Sequence, residues 1–291
     1  MNNELFLEIP LQPDFSADIM CDSEMLVNKF YEPLRQAYPD YIAREMIGMD
    51  TSGRYPMRLY DFCPDNYEAC VFLQSGVHPI ETEGYLGLAR MMEMIAKNEL
   101  PDLRSKVRFL VVPIVSVYGV SKKAEADSII KRYDIPHNAL GINGNRDCYE
   151  RRLSETKNVL SVIEKNKDII DFAFDLHTTT TEDWGDYLTV YPDHLPHQRE
   201  VVRLNDFLRS RNIKERDARI VYCGNSTEYP TGSNAAAYAS YITEEMGIPM
   251  CTLEHSDFVF DNALGTPIAM TRAVELYLNH IMLAWDFYKK K

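Results

Sequence analysis

Two histidines and two glutamates stand where a metal-assisted hydrolysis could use them. His78 and Glu81 lie three residues apart in Gly76-Val-His-Pro-Ile-Glu81. Residues three apart at a helix start share a face. An imidazole nitrogen and a carboxylate oxygen could then both reach one zinc at about 2.0–2.2 Å. The spacing recurs in His197-Gln-Arg-Glu200, beside His194-Leu-Pro-His197. That copy lies on a charged, proline-broken stretch with no buried strand before it, so it reads as a solvated helix start.

His177 could supply the third donor. It closes the run Asp171-Phe-Ala-Phe-Asp-Leu-His, a strand-like segment that would deliver it to a sheet edge. Alone it would read as a core histidine satisfied by the threonine hydroxyls of residues 178–181. With His78 and Glu81 it completes a two-histidine, one-carboxylate set with a position open for water, the pattern of catalytic zinc. Asp175 could back that imidazole, or be ordinary strand-end polarity.

Glu254 follows the apolar run Met250-Cys-Thr-Leu. A carboxylate there is costly to bury without a partner or a task. Beside zinc it could take a proton from water and pass it to a leaving nitrogen; the plainer alternative is a salt bridge to an arginine. Asn145-Arg146, in Gly141-Ile-Asn-Gly-Asn-Arg-Asp147, pairs an amide donor with a planar fork that matches a carboxylate. Gly-Asn pairs also favour plain turns.

These residues need a scaffold that brings them together. Periodicity predicts helices over residues 23–38, 83–95, 159–167, 195–211, 234–246 and 266–288. It predicts strands over 57–62, 69–74, 107–117, 169–176 and 248–253. Residues 121–152 read as long loops around a short helix. Alternating strands and helices imply an α/β fold: a mixed, mostly parallel central sheet with helices on both faces. Ligands bind outside the carboxyl ends of the strands in such sheets, where residues near His78, His177 and Glu254 fall. The chain, residues 1–291, is expected to be one catalytic domain.

Composition removes other classes. A formal net charge of −13 would be repelled by nucleic acid or an anionic membrane. The cluster Lys131, Arg132, Arg146, Arg151 and Arg152 is too small for a nucleic-acid track, but could hold an anionic group of a small substrate. No apolar run is long enough to span a bilayer, and MNNELFLEIP lacks the features of a secretory signal. Six scattered cysteines without a C-x-x-C pair suit a reducing compartment. A cytoplasmic location is expected. No G-x-S-x-G elbow supports a serine hydrolase.

In the order His-x-x-Glu, Asn-Arg, His and Thr-Leu-Glu, the sequence resembles the zinc carboxypeptidases of the M14 family. Tyr38-Pro-Asp-Tyr-Ile, Ile47-Gly-Met-Asp-Thr-Ser-Gly-Arg54 and the strand before Ser75-Gly-Val-His78 are similar too, so the likeness spans nearly the whole chain. The resemblance implies one zinc ion on His78, Glu81 and His177, and release of a C-terminal amino acid. It implies that Asn145 and Arg146 bind the substrate carboxylate and that Glu254 is the general base. Tyr229 would close over the substrate. Arg132 would polarise the scissile carbonyl, a role for which Lys131 and Arg151 compete.

Two departures stand out. Ser116-Val-Tyr-Gly119 replaces the family's usual Asn-Pro-Asp-Gly. Asp175-Leu-His-Thr-Thr-Thr-Thr is closer to deacylases that resemble aspartoacylase and succinylglutamate desuccinylase. Those carry an extra C-terminal β domain, whereas here a helix follows Glu254, which favours the peptidase. The expected substrate is a peptide, or alternatively an N-acyl amino acid, with a free carboxylate. Ala235-Ala-Ala-Tyr offers no charged determinant and suggests a neutral or modestly apolar side chain.

Overall fold

The run Ala69-Cys-Val-Phe-Leu-Gln-Ser is buried along its whole length. A strand apolar on both faces needs cover on both. In the computed structural model this run is β3 (Ala69–Ser75), inside an eight-stranded sheet. The structure describes residues 7, 9–10, 22–126, 134–179, 187–192, 218–223, 238–256 and 267–288.

From one edge the sheet runs β1 (Ile42–Met49), β2 (Pro56–Phe62), β4 (Val107–Val112), β3, β5 (Phe172–Thr179), β8 (Met250–Ser256), β6 (Tyr187–Pro192) and β7 (Ala218–Cys223). The pairs β4/β3, β3/β5, β5/β8 and β6/β7 are parallel. The pairs β1/β2, β2/β4 and β8/β6 are antiparallel. The sheet is therefore mixed and mostly parallel, as the alternation of elements implied.

Side chains alternate across β5, and their neighbours locate the helices. Phe174 meets His280 of α8 (Pro267–Tyr288), ring centroids 6.4 Å apart. Thr178 accepts a hydrogen bond from Gly84 N of α3 (Thr82–Ala96) at 3.0 Å. Asp175 and His177 point the other way. There lies the buried Tyr238 of α7 (Tyr238–Met246), within electrostatic reach of Cys148, Asp175 and Thr156 of α6 (Ser154–Asn166). Helices thus cover both faces. Among the described residues, none is long and apolar enough to cross a membrane.

Close packing of α3 on β5 depends on Gly84. A Cβ there would lie 2.8 Å from Leu176 O and 3.5 Å from His177 Cα. Gly84→Ala is expected to push helix and strand apart and cost about 1–3 kcal/mol. A urea midpoint equal to wild type would contradict that packing.

Several boundaries differ from the sequence reading, each for a physical reason. The helix expected over 23–38 is α1 (Ser23–Leu26), a π turn (Val27–Tyr31) and α2 (Glu32–Ala37). Pro33 has no N–H to donate to the fourth residue back. The Glu32 N–H reaches Val27 O, five residues back, and the helix widens there. The strand expected over 107–117 stops at Val112, because Pro113 cannot donate to the ladder. α5 (Val117–Ala124) follows. α6 starts five residues before the expected 159. β5 does not stop at Leu176: Thr178 and Thr179 stay paired with β8, at His255 and Ser256. β1, β6, β7 and α4 (Pro101–Lys106) were not anticipated. The helix expected over 195–211, and residues 234–237 of another, lie outside the described residues.

Candidate metal centre

β3 ends at Ser75 and Gly76 takes φ +63°, a conformation that side chains with a Cβ rarely adopt. The chain turns out of the sheet there and presents His78. Glu81 N donates to His78 O at 3.3 Å, and Glu81 caps α3. His78 and Glu81 therefore face each other across the turn that precedes the helix, between the strand and the helix start as expected. His177 sits inside β5, not at its end, because that strand runs on to Thr179.

The three side chains converge. His78 Nδ1 is 2.6 Å from Glu81 Oε1, and His177 Nδ1 is 2.7 Å from Glu81 Oε2. Thr178 N also donates to Oε2, at 3.2 Å. Donor atoms of all three residues lie within 4.8 Å of one another. Burial opposes charge at Glu81, but the two imidazoles outweigh it and hold the carboxyl well below its usual range. Burial likewise opposes charge on His177. There Asp175 and Glu81 prevail, and the imidazole is held well above its usual range.

Two imidazole nitrogens and one carboxylate gathered this closely fit a divalent metal of borderline softness such as zinc. The outer ring nitrogens also meet acceptors. His177 Nε2 lies 2.9 Å from Asp175 Oδ2, a close contact off the line of a hydrogen bond. His78 Nε2 lies 3.3 Å from Asn143 Oδ1.

Asp175 and then Glu81 raise His177, while His78 and then His177 lower Glu81; only the shared Glu81–His177 contact would be counted twice. A group whose pKa rises on folding stabilises fully below its unfolded value, about 6.5 for histidine. That contribution is lost as pH climbs through the folded value. The carboxylate side is present above about 4.3 and lost as pH falls toward its lowered value. With a chelator present, the urea midpoint is expected to fall as pH rises from about 6.5. With saturating zinc the dependence should weaken or invert, because ligating imidazoles must be neutral. A chelated protein that grows more stable over that range would contradict the pairing.

Two neighbours escaped the sequence reading. Asn143 accepts from Asn145 N at 2.9 Å while it touches His78. His137 packs its ring 4.9 Å from that of His78, the same centroid spacing as between His78 and His177. Burial pushes the His137 imidazole down to about 4. Both occupy an aperiodic loop, and their only sequence signal was nearness to Asn145-Arg146.

Asn145 and Arg146 belong to a 3-10 turn, Gly144–Arg146. Asn145 Oδ1 accepts from Tyr238 N at 3.1 Å, which orients the amide and leaves its NH2 as the donor end. Arg146 Nη1 donates to Asn145 O at 2.8 Å. Through Asn143 this turn abuts His78. Glu254 lies on β8 in register with His177; its side chain lies outside the described residues. So do Arg132, Lys131, Tyr229 and the His197–Glu200 copy. Arg151 donates 2.8 Å hydrogen bonds to Glu164 and Tyr241, so this competitor for the carbonyl-polarising role already has partners.

Solved structures share this architecture. A metallo-carboxypeptidase from Burkholderia cenocepacia matches with TM-score 0.67 at 18% identity, over 92% of this chain and 69% of that one. Bovine thrombin-activatable fibrinolysis inhibitor, solved with tick carboxypeptidase inhibitor, matches with TM-score 0.69 at 14% identity, over 94% and 99%. Carboxypeptidase A from Helicoverpa armigera matches with TM-score 0.69 at 13% identity, over 93% and 75%. No family model and no curated protein matches the sequence. The chain has the metallo-carboxypeptidase fold.

Proposed function

We propose that the chain is a zinc-dependent carboxypeptidase, its residues 1–291 forming one catalytic domain. The observation that carries this reading is the convergence of two imidazole Nδ1 atoms on the Glu81 carboxylate. His78, Glu81 and His177 would hold the ion. When bound, zinc brings the pKa of a water to about 7 and polarises a carbonyl.

The chain's own groups do the rest. The amide of Asn145 and the fork of Arg146 grip the terminal carboxylate and set the register of the peptide. Glu254 removes a proton from the attacking water and returns it to the leaving nitrogen. Arg132 steadies the negative charge that develops on the scissile oxygen, and Tyr229 closes over the substrate.

The test is mass spectrometry of an N-blocked peptide library incubated with zinc-loaded protein, beside a chelated control. Chelator-sensitive loss of single C-terminal residues is expected. Intact peptides would overturn the peptidase reading, and cleavage of N-acyl amino acids in their place would establish a deacylase.

A further inference from the structure

The imidazoles His78 and His177 are supported unequally from behind. The outer nitrogen of His78 meets a neutral amide oxygen at 3.3 Å, on an exposed residue, Asn143. The outer nitrogen of His177 meets a carboxylate oxygen at 2.9 Å, and both Asp175 and His177 are fully buried. Neither Asp175 oxygen makes a hydrogen bond. No Lys or Arg among the described residues forms an ion pair with it. A buried carboxylate so placed is costly to keep, and among the described residues its ion-pair partner is His177.

We infer that Asp175 is the positioning residue that sets metal affinity at this centre: its buried charge, 2.9 Å from His177 Nε2, favours the imidazole orientation in which Nε2 faces the carboxylate and Nδ1 faces the ion. This rests on the metal-centre reading above. A carboxylate behind a ligating imidazole fixes its tautomer and orientation and raises its basicity. A neutral, solvent-screened amide does this more weakly. The affinity is therefore lopsided, dominated by the β5 side.

Gln74 provides the internal control. It is in register with Asp175 on β3, fully buried, and neither of its amide atoms has a hydrogen-bond partner. It shares the depth and polarity of Asp175 without the contact to His177.

The experiment is a zinc competition titration against a chromophoric chelator, on wild type, Asp175→Asn, Asn143→Ala and Gln74→Leu. Asp175→Asn is expected to raise the zinc Kd about 10–100-fold. Asn143→Ala and Gln74→Leu should stay within about threefold, since neither removes a charged group from an imidazole. Equal losses in Asp175→Asn and Gln74→Leu would overturn the inference, as a general effect of disturbing buried polarity. An unchanged Kd in Asp175→Asn would overturn it while leaving the metal centre standing. A wild type that binds no zinc would remove the centre and the inference together. Should Asp175→Asn fail to fold, Asp175→Glu keeps the charge but moves it off Nε2. It is expected to weaken zinc binding at least about threefold, and wild-type affinity there would overturn the inference.

Discussion

Glu254→Gln should retain zinc at wild-type stoichiometry and lose about 10³-fold in kcat, within the range of about 10²–10⁴ that positioned general acid–base catalysis contributes. The substitution is nearly isosteric. It removes a proton acceptor and keeps the backbone of β8, whose residue 254 is in register with His177 on one side and Leu188 on the other. Because the group is assigned to proton transfer and not to binding, KM should change little. Metal analysis paired with peptide hydrolysis separates the two effects. Near-normal turnover would sink the assignment of Glu254 as the base. Loss of metal together with activity would move the residue into the coordination sphere.

The second large effect is expected of Glu81→Gln. One carboxylate accepts both imidazole Nδ1 atoms and the Thr178 N–H. An amide can accept through one oxygen only, and its NH2 would confront a ring nitrogen. Zinc affinity should drop by on the order of 10²-fold or more, since this variant loses a charged ligand and not merely the support of one. Activity should vanish at micromolar metal. Removing one partner of a buried pair also costs about 3–5 kcal/mol, so the chelated variant should unfold at lower urea. Zinc titration and urea unfolding read the two consequences separately. Tight zinc binding by this variant would show that the ion is held elsewhere.

The parts of the site read best from sequence were those where residue type and chain direction agree. That β3 and β5 lie side by side is a finding of the structure; His78, Glu81 and His177 could be grouped because their donor types make a metal set and each falls near the carboxyl end of an apolar run. Asn143 and His137 could not, because the loop that carries them has no periodicity and its path is set by tertiary contacts. The edge strand β1 was missed for a related reason. Ala43, Arg44, Glu45 and Met46 are all exposed, so no apolar alternation marked the strand, whose identity comes from pairing with β2. Pro33 and Pro113 were the reverse case. Each sat in plain view and moved a boundary by the loss of one N–H, yet the apolar periodicity around it pointed to a continuous element.

The place of β8 has a bearing on how the molecule is made. This strand lies between β5 and β6, although β6 and β7 both precede it in the chain. As the polypeptide leaves the ribosome from its N-terminus, β5 and β6 are synthesised long before the segment that joins them. Until residues 250–256 emerge, each has an open edge that invites pairing with another chain. The strand that closes the sheet is also the one that bears Glu254. Vectorial synthesis therefore completes the sheet and delivers the proposed base in a single late event, with α8 alone among the described elements still to come, and a nascent chain halted before it would hold the candidate metal ligands without the proposed base.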